Sequence, residues 1–472
     1  MPQMAEKTSP DAPPNCAVVP LYFDIRCGIL IPYNQKGGIL MAKLHIDFDR
    51  ALGRVRPMHG VGQPPLTGID NRMFHYLKEA GVPYSRPHDA GGDFGGGVYC
   101  DISCVFPDFS RDPADPDAYC FEFTDNLLAG LVENGVEPFY RLGEAIENHQ
   151  RLRRYTTNPP ADYDKWARVC EGVIRHVNEG WANGHHFGIR YFEIWNEPDN
   201  DIPNRDNQMW SGSMEDYFRL YDVASKYLKA RFPKLQIGGY AACGFYAEAN
   251  RLAGRSFSDR EQYFDDFFHA FLKFAGENKC PLDFFSWHSY ASPADTENMA
   301  RYCRHHLDAA GFANVPMIMN EWNPSIHCRG SACAAAEAAE MFLRMHRAGV
   351  EACMYYDARY GVSVYGGLFN PLTAKPFSTY YSFVAFNALY RAGTQVACEA
   401  DAPLIAMAAA GENGQRLALI VNTTDAETAL TLEGCPAPVR LSVVEDGEAC
   451  LKWRPLSDAG TMPPHAVWLM EF

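Results

Sequence analysis

From Arg54 to about Ala392 the chain repeats one unit, a short apolar run followed by a segment whose apolar residues recur every three or four positions. VRPMHGVG, GVPYSRPHD, VEPFYRLGE, IRYFEIWNE, LQIGGYAA, LDFFSWHSY, VPMIMNEWN and EACMYYDAR are the eight runs. Their length, their aromatic and β-branched content and their Gly and Pro borders predict strands. Between them, TDNLLAGLVENG, DYDKWARVCEGVIRHVNEG, MEDYFRLYDVASKYLKARF and AAAEAAEMFLRMHRAG carry the helical period, and several end at glycine, as helices tend to. Such a repeat predicts an α/β chain whose parallel strands close into a (β/α)8 TIM barrel. An open doubly wound sheet has fewer strands and a glycine-rich first turn, and neither GxGxxG after the first strand nor a P-loop is present.

After about residue 393 the texture changes to LIAMAAA, RLALIVNTT, ETALTLEG, VRLSVVED and AVWLMEF, separated by Gly, Asp and Pro. Short strands at regular spacing predict an accessory β-sandwich over residues 393–472. VVPLYFDIRCGILI and GILMAKLHIDF near the start also read as strands. Residues 16–53 are therefore expected to complete the sandwich, because about 80 residues alone make a thin double sheet. Residues 1–15, polar and proline-containing, are expected to be disordered, which leaves residues 54–392 for the barrel.

Composition narrows the functions available. With 47% hydrophobic residues the chain can bury a large core, and a formal net charge of −16 without a long basic run repels a phosphate backbone. Nucleic acid is not an expected partner. No stretch reaches the roughly 18 apolar residues of a membrane span, and MPQMAEKTSPDAPPN lacks the apolar core of a signal peptide, so a cytoplasmic location is expected. The 15 cysteines, an odd number set in apolar segments such as ARVCEGVI, read as reduced buried thiols. A homo-oligomer is left open.

The chemistry concentrates at two strand ends. YFEIWNEPD finishes an apolar strand with Trp195, Asn196, Glu197 and Pro198, and VPMIMNEWNPS repeats the grammar with Asn320, Glu321, Trp322 and Pro324. Proline stops each strand, so both glutamates stand at the C-terminal mouth of the barrel, where such barrels keep their chemistry. Two carboxyls facing each other across a mouth suit glycosidic bond cleavage, for which a retaining enzyme needs them about 5 to 5.5 Å apart. Asn196 can reach a sugar hydroxyl or close its own turn. On neighbouring strands Arg86 and His88 alternate in YSRPHD, and His288 and Tyr290 in SWHSY, so each pair can point into the mouth. Arg86, always charged, and Tyr290 are placed to hold Glu321 ionised, while burial near Trp195 and the charge of Glu321 are expected to raise Glu197. No catalytic metal or cofactor is expected, since no carboxylate or HxxxH grouping accompanies the histidines. The doublets at His185 and His305 read as surface or packing residues.

The ordered set FEIWNEPD, WSGSMEDYFRLYDVASKYLKARFPKLQIGGY, DFFSWHSY, MIMNEWN, GGLFN and KPFSTYY, with DYDKW ahead of it, resembles glycoside hydrolase family 39. That resemblance implies a retaining, exo-acting glycosidase of small saccharides or glycoconjugates, with Glu197 as acid/base and Glu321 as nucleophile. β-Xylosidase is the activity most often associated with it; galactoside, glucoside, arabinoside or iduronate specificity is the alternative, and a carbohydrate-binding pseudoenzyme is the alternative of another class. The chain departs from the pattern at its last strand, where Tyr355 and Tyr356 stand in place of a tryptophan, and at Glu144, where an apolar or aromatic residue is expected. Trp322, Glu144 and Tyr355 complete the expected substrate-binding set. Arg151, Arg153 and Arg154 are candidates for a carboxylated sugar, and the glycine-rich stretch HDAGGDFGGGVYCDISC for a lid.

Overall fold

The computed structural model describes residues 21–24, 29–32, 39–66, 71–91, 99–145, 157–203, 205, 207–324, 327–360, 365–444 and 450–472. The arginines 151, 153 and 154 and residues 92–98 of the glycine-rich stretch lie outside them. Among the described residues no helix is long and apolar enough to cross a membrane.

One sheet is parallel throughout and forms the barrel. Its strands are Gly60–Gly62, Tyr84–Arg86, Glu137–Pro138 with Tyr140–Leu142, Tyr191–Ile194, Gln236–Ala242, Phe285–Ser289, Met317–Trp322 and Ala352–Tyr355. The third position is one strand in two pieces: Glu137–Pro138 pairs with the second strand and Tyr140–Leu142 with the fourth, and the Phe139 amide between them still donates to the Ser85 carbonyl (2.8 Å). Each strand corresponds to one apolar run of the sequence. The helices outside are capped where the residue types predict it. Asp162 accepts from the Lys165 amide to start Tyr163–Glu179, which ends at Gly180 with φ +74°, and Ser213 and Asp216 make a reciprocal capping box at the start of Met214–Arg231.

The pleat sorts the barrel interior into layers. Phe139, Phe284, Ile318 and Met354, with Tyr84 and Tyr191, fill its apolar layer. Two residues further along those strands come Arg86, Arg141, Glu193, Ser286 and Asn320, all buried and all polar. Burying charges in this way costs several kcal/mol per ion unless they are paired, so this layer has to be a closed network.

A second, nine-stranded sheet curls around its own core. Its long strand, Leu40–Arg54, pairs antiparallel with Thr394–Ala400 and parallel with Thr428–Glu433. The segment expected to join the sandwich thus divides, because Leu21–Asp24 and Ile29–Pro32 pair with each other in a separate two-stranded sheet. Strand Arg416–Asn422 shows why the C-terminal runs lack polar alternation: Ala418 and Ile420 enter the sandwich core, while Leu417, Leu419 and Val421 join the barrel's core. Helices Ala332–Arg347 and Ser378–Ala392 contact that outer face.

Candidate active site

Strand Tyr191–Ile194 runs into a turn that aims Glu197 across the mouth. Trp195 (φ +73°) and Glu197 (φ +44°) sit in the left-handed region, at a cost of about 1–3 kcal/mol each. The surroundings hold them there. The Trp195 amide donates to the Leu142 carbonyl (2.7 Å), its indole to the Met209 carbonyl (2.8 Å), and the Glu197 amide to the Ala241 carbonyl (3.1 Å). Gly143 lets this turn approach, since a Cβ there would lie 2.9 Å from Trp195 Cα.

Glu197 and Glu321 meet with His288 between them, one donor atom of each lying within 4.8 Å of the others. His288 Nδ1 is 2.7 Å from Glu197 Oε1 and 3.8 Å from Glu321 Oε2. Asn200 donates to the other Glu197 oxygen (2.9 Å). Glu321 accepts from Arg86 Nη1 (3.2 Å) and from the Tyr290 hydroxyl. The same guanidinium donates to Glu193 through Nε (2.8 Å) and Nη2 (2.6 Å) and to Asn196 Oδ1 (2.6 Å), and Asn320 donates to the remaining Glu193 oxygen (2.5 Å). Arg86 is the shared cation of this part of the buried polar layer, while Arg141 pairs with Asp101. These three groups have metal-ligand spacing as well, but Arg86, Tyr290 and Asn200 already engage both carboxylates.

The charges order themselves differently from expectation. Burial pushes the Glu197 carboxyl up, yet the hydrogen bond and charge of His288, with Asn200, carry it below its ordinary value. Burial and the charge of Glu197 raise Glu321 to about 7 against the pull of His288, Arg86 and Tyr290. Burial pushes His288 down, and the charge of Glu321 with the bond to Glu197 more than offsets it, so the ring is raised. A raised Glu197 opposite a lowered Glu321 was the expectation; the contacts of His288 and Asn200 lower the first, while burial and the charge of Glu197 raise the second.

The model of the glycosyl hydrolases family 39 matches residues 95–358, more than half of the chain. The chain belongs to glycosyl hydrolases family 39. It is 25% identical over 366 residues to a β-xylosidase of Geobacillus stearothermophilus, covering 68% of this chain and 65% of that protein, so the chain spans just under two thirds of that relative's length. A β-xylosidase of Caldicellulosiruptor saccharolyticus is 28% identical over 181 residues, 37% of this chain and 31% of that one. Among solved structures, a glucosidase from Croceicoccus marinus superposes with a TM-score of 0.72 at 18% identity, covering 92% of this chain and 99% of that chain. A family 39 β-xylosidase from Caulobacter crescentus gives a TM-score of 0.63 at 18% identity, with 91% and 99% covered. These last two are likenesses of fold.

In this family 39 chain the cleft has a volume of ≈ 620 Å³, and His88, Asn196, Glu197, Tyr290 and Glu321 line it. Arg86 and His288 lie buried beneath and reach the carboxylates from there. Three residues expected in the cleft are elsewhere. Trp322 and Tyr355 point away from the mouth, packed on each other and on Phe342 and Phe383, because pleating turns the neighbours of Glu321 and Tyr356 outward. Tyr356 takes the place assigned to Tyr355, lining the cleft and donating to Asp89 (2.7 Å). Glu144 is buried and accepts from the Ser103 amide (2.8 Å) and hydroxyl (2.5 Å); burial raises it to about 8. It anchors a loop.

Residues without a sequence signal complete the lining. Asp89, Asn200, Tyr246, Arg260, Glu261, Phe264 and Tyr365 come from loops or the first two turns of helices. His88 is held by Arg141 (3.0 Å), which pairs with buried Asp101, and burial with the charges of Arg86 and Arg141 pushes its ring well below its ordinary value. Neutral at neutral pH, it offers hydrogen bonds and no charge. Glu193 did leave a signal, as a charged residue inside an apolar strand.

Proposed function

We propose that the chain is a retaining, exo-acting glycosidase that removes a terminal β-xylosyl unit from small saccharides or glycoconjugates. The observation that carries this reading is the facing of Glu197 and Glu321 across the mouth, one oxygen of each lying within 4.8 Å of the other, an approach that suits direct attack better than the wider carboxyl separation that leaves room for an intervening water. Family membership and the two β-xylosidase relatives support the substrate class.

The roles follow from the partners. Glu321 is fixed in place by Arg86 and Tyr290, two donors that favour its anion against the burial that raises it, as a nucleophile attacking the anomeric carbon requires. Among the described residues Glu197 is hydrogen-bonded by Asn200 and His288, and its side chain, mostly buried but reaching the cleft, can protonate the leaving oxygen and then take a proton from water. The reaction needs the proton on Glu197 and off Glu321. His288, 2.7 Å from one and 3.8 Å from the other, is placed to carry it across. Asn196, oriented by Arg86, faces the sugar beside the nucleophile.

Hydrolysis of an aryl β-xyloside followed by proton NMR at early times tests the mechanism. The β-anomer of xylose should form first; an α-anomer as first product would overturn direct attack by Glu321. A panel of aryl galactosides, glucosides, arabinosides and iduronides tests the glycone, with the xyloside expected to give the highest kcat/KM.

A further inference from the structure

Away from the cleft, three segments bring two imidazoles and a carboxylate together. Asp125 lies in the first turn of helix Glu122–Glu133, His176 in the last turn of helix Tyr163–Glu179, and His185 in the loop that follows. Their donor atoms all lie within 4.8 Å of one another. His176 Nε2 is 2.8 Å from Asp125 Oδ1, and His185 Nε2 is 3.5 Å from Asp125 Oδ2. The two rings face different oxygens of one carboxylate, and since ligands of a tetrahedral zinc ion with bonds of about 2.0–2.1 Å stand about 3.3 Å apart, small side-chain rotations bring the three around one ion.

The orientation of His176 points to a cation. Its Nδ1 is 2.9 Å from the Trp181 carbonyl, which can only accept, so Nδ1 carries the ring proton. In the neutral ring the Nε2 lone pair then faces a carboxylate oxygen, and two acceptors face to face repel unless a proton or a metal ion lies between them. An imidazole tied through one nitrogen to a carbonyl while the other faces the ligand position is the usual setting of a metal-bound histidine.

The site is also built. Phe121 stacks on the His176 ring (3.5 Å between centroids, 5° between planes) and Phe187 on the His185 ring (4.3 Å, 10°). The His185 amide donates to the His176 carbonyl (2.6 Å). A Cβ on Gly184 would come within 2.2 Å of that carbonyl, so the loop can pass only as glycine. His176 is buried, while Asp125 and His185 are partly open, which leaves access for the ion and for water as a fourth ligand.

We propose that Asp125, His176 and His185 form a zinc site that staples the two helices to the loop entering the strand of Glu197. Two imidazoles and one carboxylate favour zinc over calcium or magnesium, which prefer all-oxygen shells. None of the three residues lines the cleft, so the ion acts on stability and not on bond cleavage.

The test uses the full chain, stripped with a chelator and titrated with zinc chloride by calorimetry and by thermal unfolding. One equivalent should bind and raise Tm. Cobalt chloride should give the ligand-field bands of nitrogen and oxygen ligation without a thiolate charge-transfer band, which separates this site from the cluster of Cys328, Cys333 and Glu337. His185→Ala should weaken binding at least tenfold and abolish the rise in Tm, while Cys328→Ser and His305→Ala leave both intact. Should His185→Ala fold poorly, Asp125→Asn serves in its place. Absence of stoichiometric binding, a thiolate band, or undiminished affinity in the variants would overturn the site and leave a His–Asp ion pair.

Discussion

The fourth and seventh barrel strands end in the same local pattern, an asparagine and then a glutamate at the mouth, yet the two carboxyls live in different company. Glu321 is almost fully buried and gripped by a guanidinium and a phenol; Glu197 is more open and held by an amide and an imidazole. Even the asparagines differ: Asn196 lines the cleft, while Asn320 turns inward to hold Glu193. The surroundings of each carboxyl at these ends are therefore set largely by neighbouring strands, beyond the shared local sequence.

The largest effect expected from this asymmetry separates the two glutamates by substitution. Glu321→Ala should lower kcat by roughly 10⁴–10⁶-fold on every substrate, as loss of a nucleophile does. Glu197→Ala should fall as far only on substrates with basic leaving groups; with a very acidic aryl leaving group the first step needs no proton, and added azide should restore turnover to a β-glycosyl azide. Steady-state kinetics across a leaving-group series checks both, and the opposite pattern would exchange the roles.

A smaller effect is expected at the grip on Glu321. Tyr290→Phe removes a hydrogen bond to a charged group, about 1.5–3 kcal/mol, so kcat should drop about 10- to 150-fold. Stability should change little. An unchanged kcat would show that Arg86 alone suffices to hold the nucleophile.

The sequence shows a good deal of this, and its limits have a physical cause. All eight strands are legible because each apolar run is followed by an amphipathic helix, and the two glutamates are legible because proline marks where their strands stop. Which face a side chain takes is harder to read. Met317–Trp322 and Ala352–Tyr355 are buried on both faces, as parallel strands are, so no polar alternation distinguishes Tyr355 from Tyr356 or shows that Trp322 turns away. Glu144 looks like a cleft residue in a linear reading because Ser103, which it holds, is 41 positions away. Asn200, Arg260 and Tyr246 reach the cleft only through the closure of loops. The lowering of Glu197 depends chiefly on its contact with His288, between the fourth and sixth strands, and the raising of Glu321 on its burial, neither of which a linear reading shows.

That contact gives the next expectation. His288→Gln removes the group that carries Glu197 below its ordinary value, so the Glu197 pKa should rise. The alkaline limb of kcat/KM, where the acid loses its proton, should then move to higher pH. A limb that stays in place would mean that His288 does not set the acid's protonation.

The smallest effect lies outside the pair. Glu144, raised to about 8 by burial, holds its proton in the folded chain between its ordinary value near 4.5 and about 8, whereas the unfolded chain does not. Its contribution to stability is complete below the unfolded pKa and is lost as pH rises through the folded one. Glu144→Gln should flatten the fall of Tm between pH 5.5 and 8.5 by on the order of a few degrees, read by calorimetry. An unchanged slope would place the proton elsewhere, with Asp101 the neighbouring carboxyl.

The difference between the two strand ends is tested most directly by trapping the covalent intermediate. Incubation with an activated 2-deoxy-2-fluoro-β-xyloside, intact-mass measurement and peptide mapping locate the attached sugar. One fluoroxylosyl group on Glu321, in the peptide spanning Met317–Trp322, is the expected result. A label on Glu197, or turnover without any covalent adduct, would contradict the assignment of the nucleophile.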